Sequence, residues 1–124
     1  MILLDASVAM ELLLPGRKKR TDVKRWLRQT DEVLCISMLT VHLALHFGLK
    51  EKLTLQYVKD FLANYPKIAL LPEDYAAAMQ VLIDRDHEDA LQLATAERVG
   101  CSSIVTLDQK FAANYKERIR FVMV

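Results

Sequence analysis

Glycine is nearly missing from this chain: three residues in 124, at positions 16, 48 and 100. None is spaced for a phosphate-cradling loop or a dinucleotide fingerprint, each of which needs several glycines close together. Cysteine is scarcer still, with Cys35 and Cys101 each lying in or beside an apolar run. A zinc ribbon needs close Cys/His pairs, and there are none. Both are expected to be buried thiols in a reducing compartment. No apolar run approaches the roughly 20 residues of a membrane helix. The first apolar run contains Asp5 and has no basic residue before it, unlike a secretory leader. The expectation is a soluble cytoplasmic protein with no membrane contact. A dominant charge is lacking too: 17 Lys and Arg stand against 16 Asp and Glu, a net of +1. Any nucleic-acid surface must therefore be local. No Ser or Cys nucleophile stands out with a placed histidine.

What the chain does have is apolar content, 52% hydrophobic against 27% charged. That is enough for a packed core in a length that suits one domain, residues 1–124. Met1–Leu4 reads as a buried strand broken by Asp5, which leads with Ala6 and Ser7 into the helix VAMELLL, ended by Pro15-Gly16. A helix follows from Thr21 to about Thr30, with Val23, Trp26 and Leu27 on its apolar stripe. Val33–Ile36 reads as a second strand, and Ser37 caps the helix MLTVHLALHFGLK. Thr54 opens LQYVKDFLANY, whose face is Leu55, Val58, Phe61 and Leu62, and Pro66 stops it. Ile68–Leu71 reads as a third strand, and Pro72 sits in the first turn of the helix EDYAAAMQVLIDR. A helix from about Glu88 to Val99 is closed by Gly100. Ser103–Thr106 is a fourth strand, QKFAANY a short helix, and Arg120–Val124 a candidate edge strand. Alternation of strands and helices points to a mainly parallel sheet of four to five strands covered on both faces.

Asp5 and Asp108 each follow a strand, and Asp89 opens a helix. In open parallel sheets, sites form beyond the carboxyl ends of the strands. Three aspartates gathered there repel one another unless a hard divalent cation, Mg2+ or Mn2+, neutralises them. Such an ion can stabilise a phosphodiester transition state. Ser7 and Thr106, each two positions from an aspartate, are candidate hydroxyl donors around the site. The alternative is that each Asp only caps a helix, the commoner fate of an Asp at such a position.

With those residues assembled, the chain resembles the PIN domain family, especially its VapC-like toxins. ILLDASVAMELLLPG is similar to the family's first motif, a strand followed by Asp-x-Ser or Asp-x-Asn. HEDALQLATAERVGCSSIVTLDQKF is similar to its closing motif: Asp-Ala, an alanine-rich helix, a glycine, and a strand ending Thr-x-Asp. The resemblance spans nearly the whole chain. It implies a three-layer α/β/α sandwich and metal-dependent cleavage of single-stranded RNA, often by a toxin held by a small antitoxin. It also implies Asp5, Asp89 and Asp108 as catalytic metal-holding acids. One position departs: the family carries a Glu in a pattern like Ser-x-x-Thr-x-x-Glu-Leu, and SMLTVHL is read as placing His42 there. That departure keeps open an impaired module that binds RNA or a protein without cutting. It also keeps open His42 as a site-lining group favouring Mn2+.

The remaining features have two readings each. Glu88 and Asp86 flank Asp89 as further oxygen donors or as a solvated turn, which His87 shares. His46 and Glu11 read as structural and surface residues. The basic run Arg17, Lys18, Lys19 and Arg20, continued by Lys24, Arg25 and Arg28, fits either an RNA backbone contact or a solvated face. Trp26 and Tyr57 read as core or interface. Apolar stripes around Trp26 and Phe61 are compatible with a homodimer.

Overall fold

A computed structural model describes all of residues 1–124. Five strands form one sheet in the order β3-β2-β1-β4-β5, and every pairing is parallel. The strands are β1 (Ile2–Leu4), β2 (Leu34–Ser37), β3 (Lys67–Ile68), β4 (Ser103–Thr106) and β5 (Arg120–Met123). The helices are α1 (Ala6–Leu13), α2 (Arg20–Gln29), α3 (Met38–Lys50), α4 (Leu55–Leu62), α5 (Pro72–Val81), α6 (His87–Arg98) and α7 (Gln109–Tyr115).

Strand alternation sorts the core into two layers. Ile2, Leu4, Ile36 and Val105 point to one face. There they pack with Val8 and Leu13 of α1, Val23 of α2, Ala44 of α3, and Val58 and Leu62 of α4. Leu3, Cys35 and Ile104 point to the other face, against Leu93 and Ala96 of α6 and Phe111 and Tyr115 of α7. Helix α5 lies on this second side, joined to α6 through Ala78, Ala90 and Ala94. The result is the expected three-layer α/β/α sandwich. The central strands are apolar at successive positions because both of their faces are covered.

Two glycines have specific work. Gly100 has φ +73° and ends α6 in a Schellman turn, with Cys101 N–H donating to Ala96 O at 2.9 Å and Gly100 N–H to Glu97 O at 3.2 Å. That turn seats Cys101 in the second layer, its Sγ 3.9 Å from that of Cys35. Both cysteines are free and buried. Gly48 lets α3 approach α4: a Cβ there would stand 2.8 Å from Val58 Cγ2.

Several boundaries differ from the sequence reading. The third strand is only Lys67–Ile68, not Ile68–Leu71. Leu71 is instead the N-cap residue of α5, its N–H donating to Asp74 Oδ2 at 2.9 Å. Helix α5 stops at Val81 rather than running to Arg85, and Asp84 takes φ 55° in the loop that follows. Tyr57 is exposed, because Val58 and Leu62 carry the buried face of α4. Trp26 and Phe61 are half-buried against the first layer. The apolar surface left around α3 and α4 is therefore Met38, Phe47, Leu49, Leu55 and Tyr57. No helix is long and apolar enough to cross a membrane.

Candidate functional site

The carboxyl ends of β1 and β4 lie side by side, since Leu4 pairs with Val105. Each strand hands over to a helix there, β1 through Asp5 and β4 through Leu107 and Asp108. Asp5 takes the N-cap position of α1 but makes no side-chain cap bond. Its Oδ2 accepts instead from Ser7 Oγ at 2.7 Å and Thr106 Oγ1 at 2.7 Å. Those hydroxyls bind the two crossings together: Ser7 Oγ accepts from Leu107 N–H at 3.1 Å and Thr106 Oγ1 from Asp108 N–H at 3.0 Å. The capping alternative thus fails for Asp5. It holds for Asp108, whose Oδ1 accepts from the N–H groups of Lys110 and Phe111 at 3.0 and 3.1 Å.

Asp89 lies in the first turn of α6 and is half-buried. Its pKa is pushed up to about 7, first by burial, then by the charges of Asp5, Asp108, Asp86 and Glu88. Asp89 thus feels the charges of both Asp5 and Asp108, although they are remote from it in sequence. Burial also raises Asp5, against the lowering effect of its hydroxyl partners. The mouth therefore holds more negative charge than its protein surroundings neutralise. Lys110 stands at its rim, 3.1 Å from Asp86 Oδ2 and 3.6 Å from Asp84 Oδ2.

No three His, Cys, Asp or Glu side chains close into a ready coordination set, and the two surface depressions lie elsewhere. The donor chemistry still fits a hard cation. Mg2+ is commonly held by one or two carboxylates with several waters, rather than by an all-protein cage. Only Oδ1 of Asp108 and, among side-chain donors, only Oδ2 of Asp5 are engaged.

Other candidates are placed differently from the reading above. His42 is exposed and stacks on His46 one turn later, with ring centroids 6.2 Å apart. Counted from Ser37, the family pattern's carboxylate falls on Leu43, not His42. At 100° per residue Leu43 lies about 60° from buried Thr40, whereas His42 lies on the opposite side of α3. The departure is thus from a carboxylate to a half-buried apolar group. Glu88 is exposed and acts on Asp89 through its charge. Arg20 is withdrawn from the basic run: its guanidinium donates to Glu11 O and Leu14 O, closing the end of α1. Arg17, Lys18 and Lys19 stay exposed.

One group behind the mouth escaped the sequence reading. Gln92, one turn after Asp89, is 1% exposed. Its Oε1 accepts from Ser37 Oγ at 2.5 Å and its Nε2 donates to Thr40 Oγ1 at 2.8 Å. This buried bridge fixes α6 against the first turn of α3. A glutamine one turn after Asp89, within the run Ala90–Ala96 that is otherwise Leu, Ala and Thr, was the available signal.

A hydroxyl-braced carboxylate on the central strand of an α/β/α sandwich, with two more acids nearby, defines a class of domain with an acidic mouth at the carboxyl edge of a parallel sheet. The PIN domain model matches residues 2–117. This chain belongs to the PIN domain family. Among solved structures it is similar to Mycobacterium tuberculosis VapC20, described as a sarcin–ricin-loop cleaving toxin. That match has a TM-score of 0.79 and 16% identity over 100% of both chains. A toxin–antitoxin complex from Klebsiella pneumoniae matches with TM-score 0.78 and 18% identity over 99% of this chain and 97% of that one. FitAcB from Neisseria gonorrhoeae matches with TM-score 0.70 and 21% identity over 98% and 96%. No curated protein matches the sequence.

Proposed function

We propose that this domain is a divalent-metal-dependent endoribonuclease, the cytoplasmic toxin of a toxin–antitoxin pair. The observation that carries the reading is the charge gathered at the mouth: Asp89, raised to about pKa 7 first by burial, also feels the charges of Asp5 and Asp108, both remote in sequence. The named neighbours, a sarcin–ricin-loop cleaving toxin and a toxin–antitoxin complex, support the substrate class and the kind of partner.

Asp5, Asp89 and Asp108 would hold Mg2+ or Mn2+. When bound, the ion would supply positive charge to stabilise the phosphodiester as it is cleaved. Ser7 and Thr106 keep Asp5 in one orientation, and the helix cap keeps Asp108 in another. Asp89, with no hydrogen-bond partner of its own, is the carboxylate free to adjust or to take a proton near neutral pH. Arg17, Lys18 and Lys19 are the proposed contacts to the RNA backbone. A small antitoxin protein and a second copy of the chain are the proposed protein partners.

Leu43 favours one competing reading, a PIN module that binds RNA or a partner without cutting it. Cleavage of a single-stranded RNA with Mg2+, Mn2+ or chelator separates the two. The nuclease reading expects cleavage that chelator abolishes and that Asp5→Asn and Asp89→Asn each reduce at least 100-fold. No cleavage with either ion, alongside retained RNA binding, would establish the binding module.

A further inference from the structure

The two edges of the sheet are unequal. At one end β3 is two residues long and leaves little backbone unpaired. At the other end β5 pairs with β4 from Arg120 to Met123, and its outer side has no strand beside it. No turn, loop or cap hydrogen bond uses the main chain of residues 120–124 either. A long unpaired edge templates further strand pairing unless charge or a covering element blocks it.

Here the edge borders a depression of about 690 Å³ between β5 and the end of α7, floored by Ala112, Ala113, Ile119, Phe121 and Met123. Its charged lining is Lys116, Arg118 and Arg120 against Glu117. Arg118 is held by Glu97 at 3.0 Å, while Lys116 and Arg120 are exposed and form no ion pair.

We propose that this groove is a docking site for an extended acidic segment of a partner protein, which adds to β5 as a sixth strand. Strand addition between a sheet edge and a neighbouring helix takes affinity from main-chain hydrogen bonds and specificity from alternate side chains. An alternating peptide would set its apolar residues on Ile119, Phe121 and Met123 and its carboxylates near Lys116 and Arg120. The charges disfavour a second copy of this chain, because an edge-to-edge dimer would bring Lys116 and Arg120 of both copies to one seam. The inference is independent of the nuclease reading, since none of the groove's residues is a proposed metal ligand or RNA contact.

The test uses the full chain and a fluorescein-labelled peptide of alternating Glu and Val, read by anisotropy. Binding is expected to weaken at least tenfold in Lys116→Glu/Arg120→Glu, a double change at exposed positions checked for an unaltered melting temperature. A Lys/Val peptide is expected not to bind. Hydrogen exchange is expected to slow at the outward amides of residues 120–123 when the Glu/Val peptide is added. Peptide binding without added protection at β5 would overturn the proposal. So would an oligouridylate that displaces the peptide with equal affinity, which would make the groove an RNA contact. A chain that is dimeric alone and loses dimerisation in the double variant would overturn it in favour of self-association.

Discussion

Replacing Asp89 by Asn should make the metal-free protein more stable, and only above acidic pH. The folded chain holds the Asp89 proton to about pH 7, against an ordinary value of 3.8. For an acid raised in this way, the folded state binds more protons than the unfolded chain between those two values. Stability is therefore lost as pH rises from about 4 through 7. Three pKa units correspond nominally to about 4 kcal/mol. Asp89 is only half-buried, so solvent screening reduces this to about 1–2 kcal/mol. A chain of this length unfolds with an entropy of about 0.26 kcal/mol/K, so the gain appears as roughly 4–8 °C in melting temperature. Thermal melts of wild type and Asp89→Asn in chelator, from pH 4.5 to 8.5, provide the assay. The variant should lead by the full amount at pH 8, and the lead should shrink as the pH is lowered toward 4.5. Added Mn2+ should raise the wild type and leave the variant nearly unmoved. A variant no more stable than wild type at pH 8, or a lead that ignores pH, would refute the claim that the mouth is overcharged.

Three further outcomes follow from other parts of the fold. Gly48→Ala sets a Cβ 2.8 Å from Val58 and should cost about 1–3 kcal/mol in denaturant unfolding. Gln92→Leu leaves Ser37 and Thr40 without their buried partner and should cost about 2–4 kcal/mol. It should also lower RNA cleavage, because α6 carries Asp89. Leu43→Glu should raise cleavage in Mn2+ severalfold, whereas His42→Glu, on the exposed face, should leave it unchanged. Equal effects from the two would undo the register argued for α3.

Much of the architecture was readable because it is written in local signals. Ser37, Thr54 and Pro72 announced helix starts, Gly100 announced an end, and the doubly apolar runs at residues 1–4 and 103–106 announced covered parallel strands. The misjudged pieces depended on distant partners. Whether residues 68–71 continue as strand is settled by Asp74, which takes Leu71 into a helix cap. Tyr57 shares a helix with buried residues, and only the position of α3 decides which of them face inward. The site was legible as spacing, Asp before α1, Asp in the first turn of α6 and Asp after β4. The bracing of Asp5 by Thr106 was not, because it joins positions 101 residues apart. Arg20 looked like its basic neighbours until the end of α1 came within its reach. His42 and Leu43 show how much one step along a helix matters: it turns a side chain by 100°.

The sheet order also bears on how the protein is made. β1 lies in the middle of the sheet, and one of its two neighbours, β4, is encoded about 100 residues later. At 5–20 residues per second that wait lasts on the order of 5–20 s. Asp5 meets Asp108 only after the segment between them has been made, so a shorter nascent fragment has no assembled centre. For a hydrolase of RNA, such an order of assembly would protect the message being translated until β4 and Asp108 have joined β1.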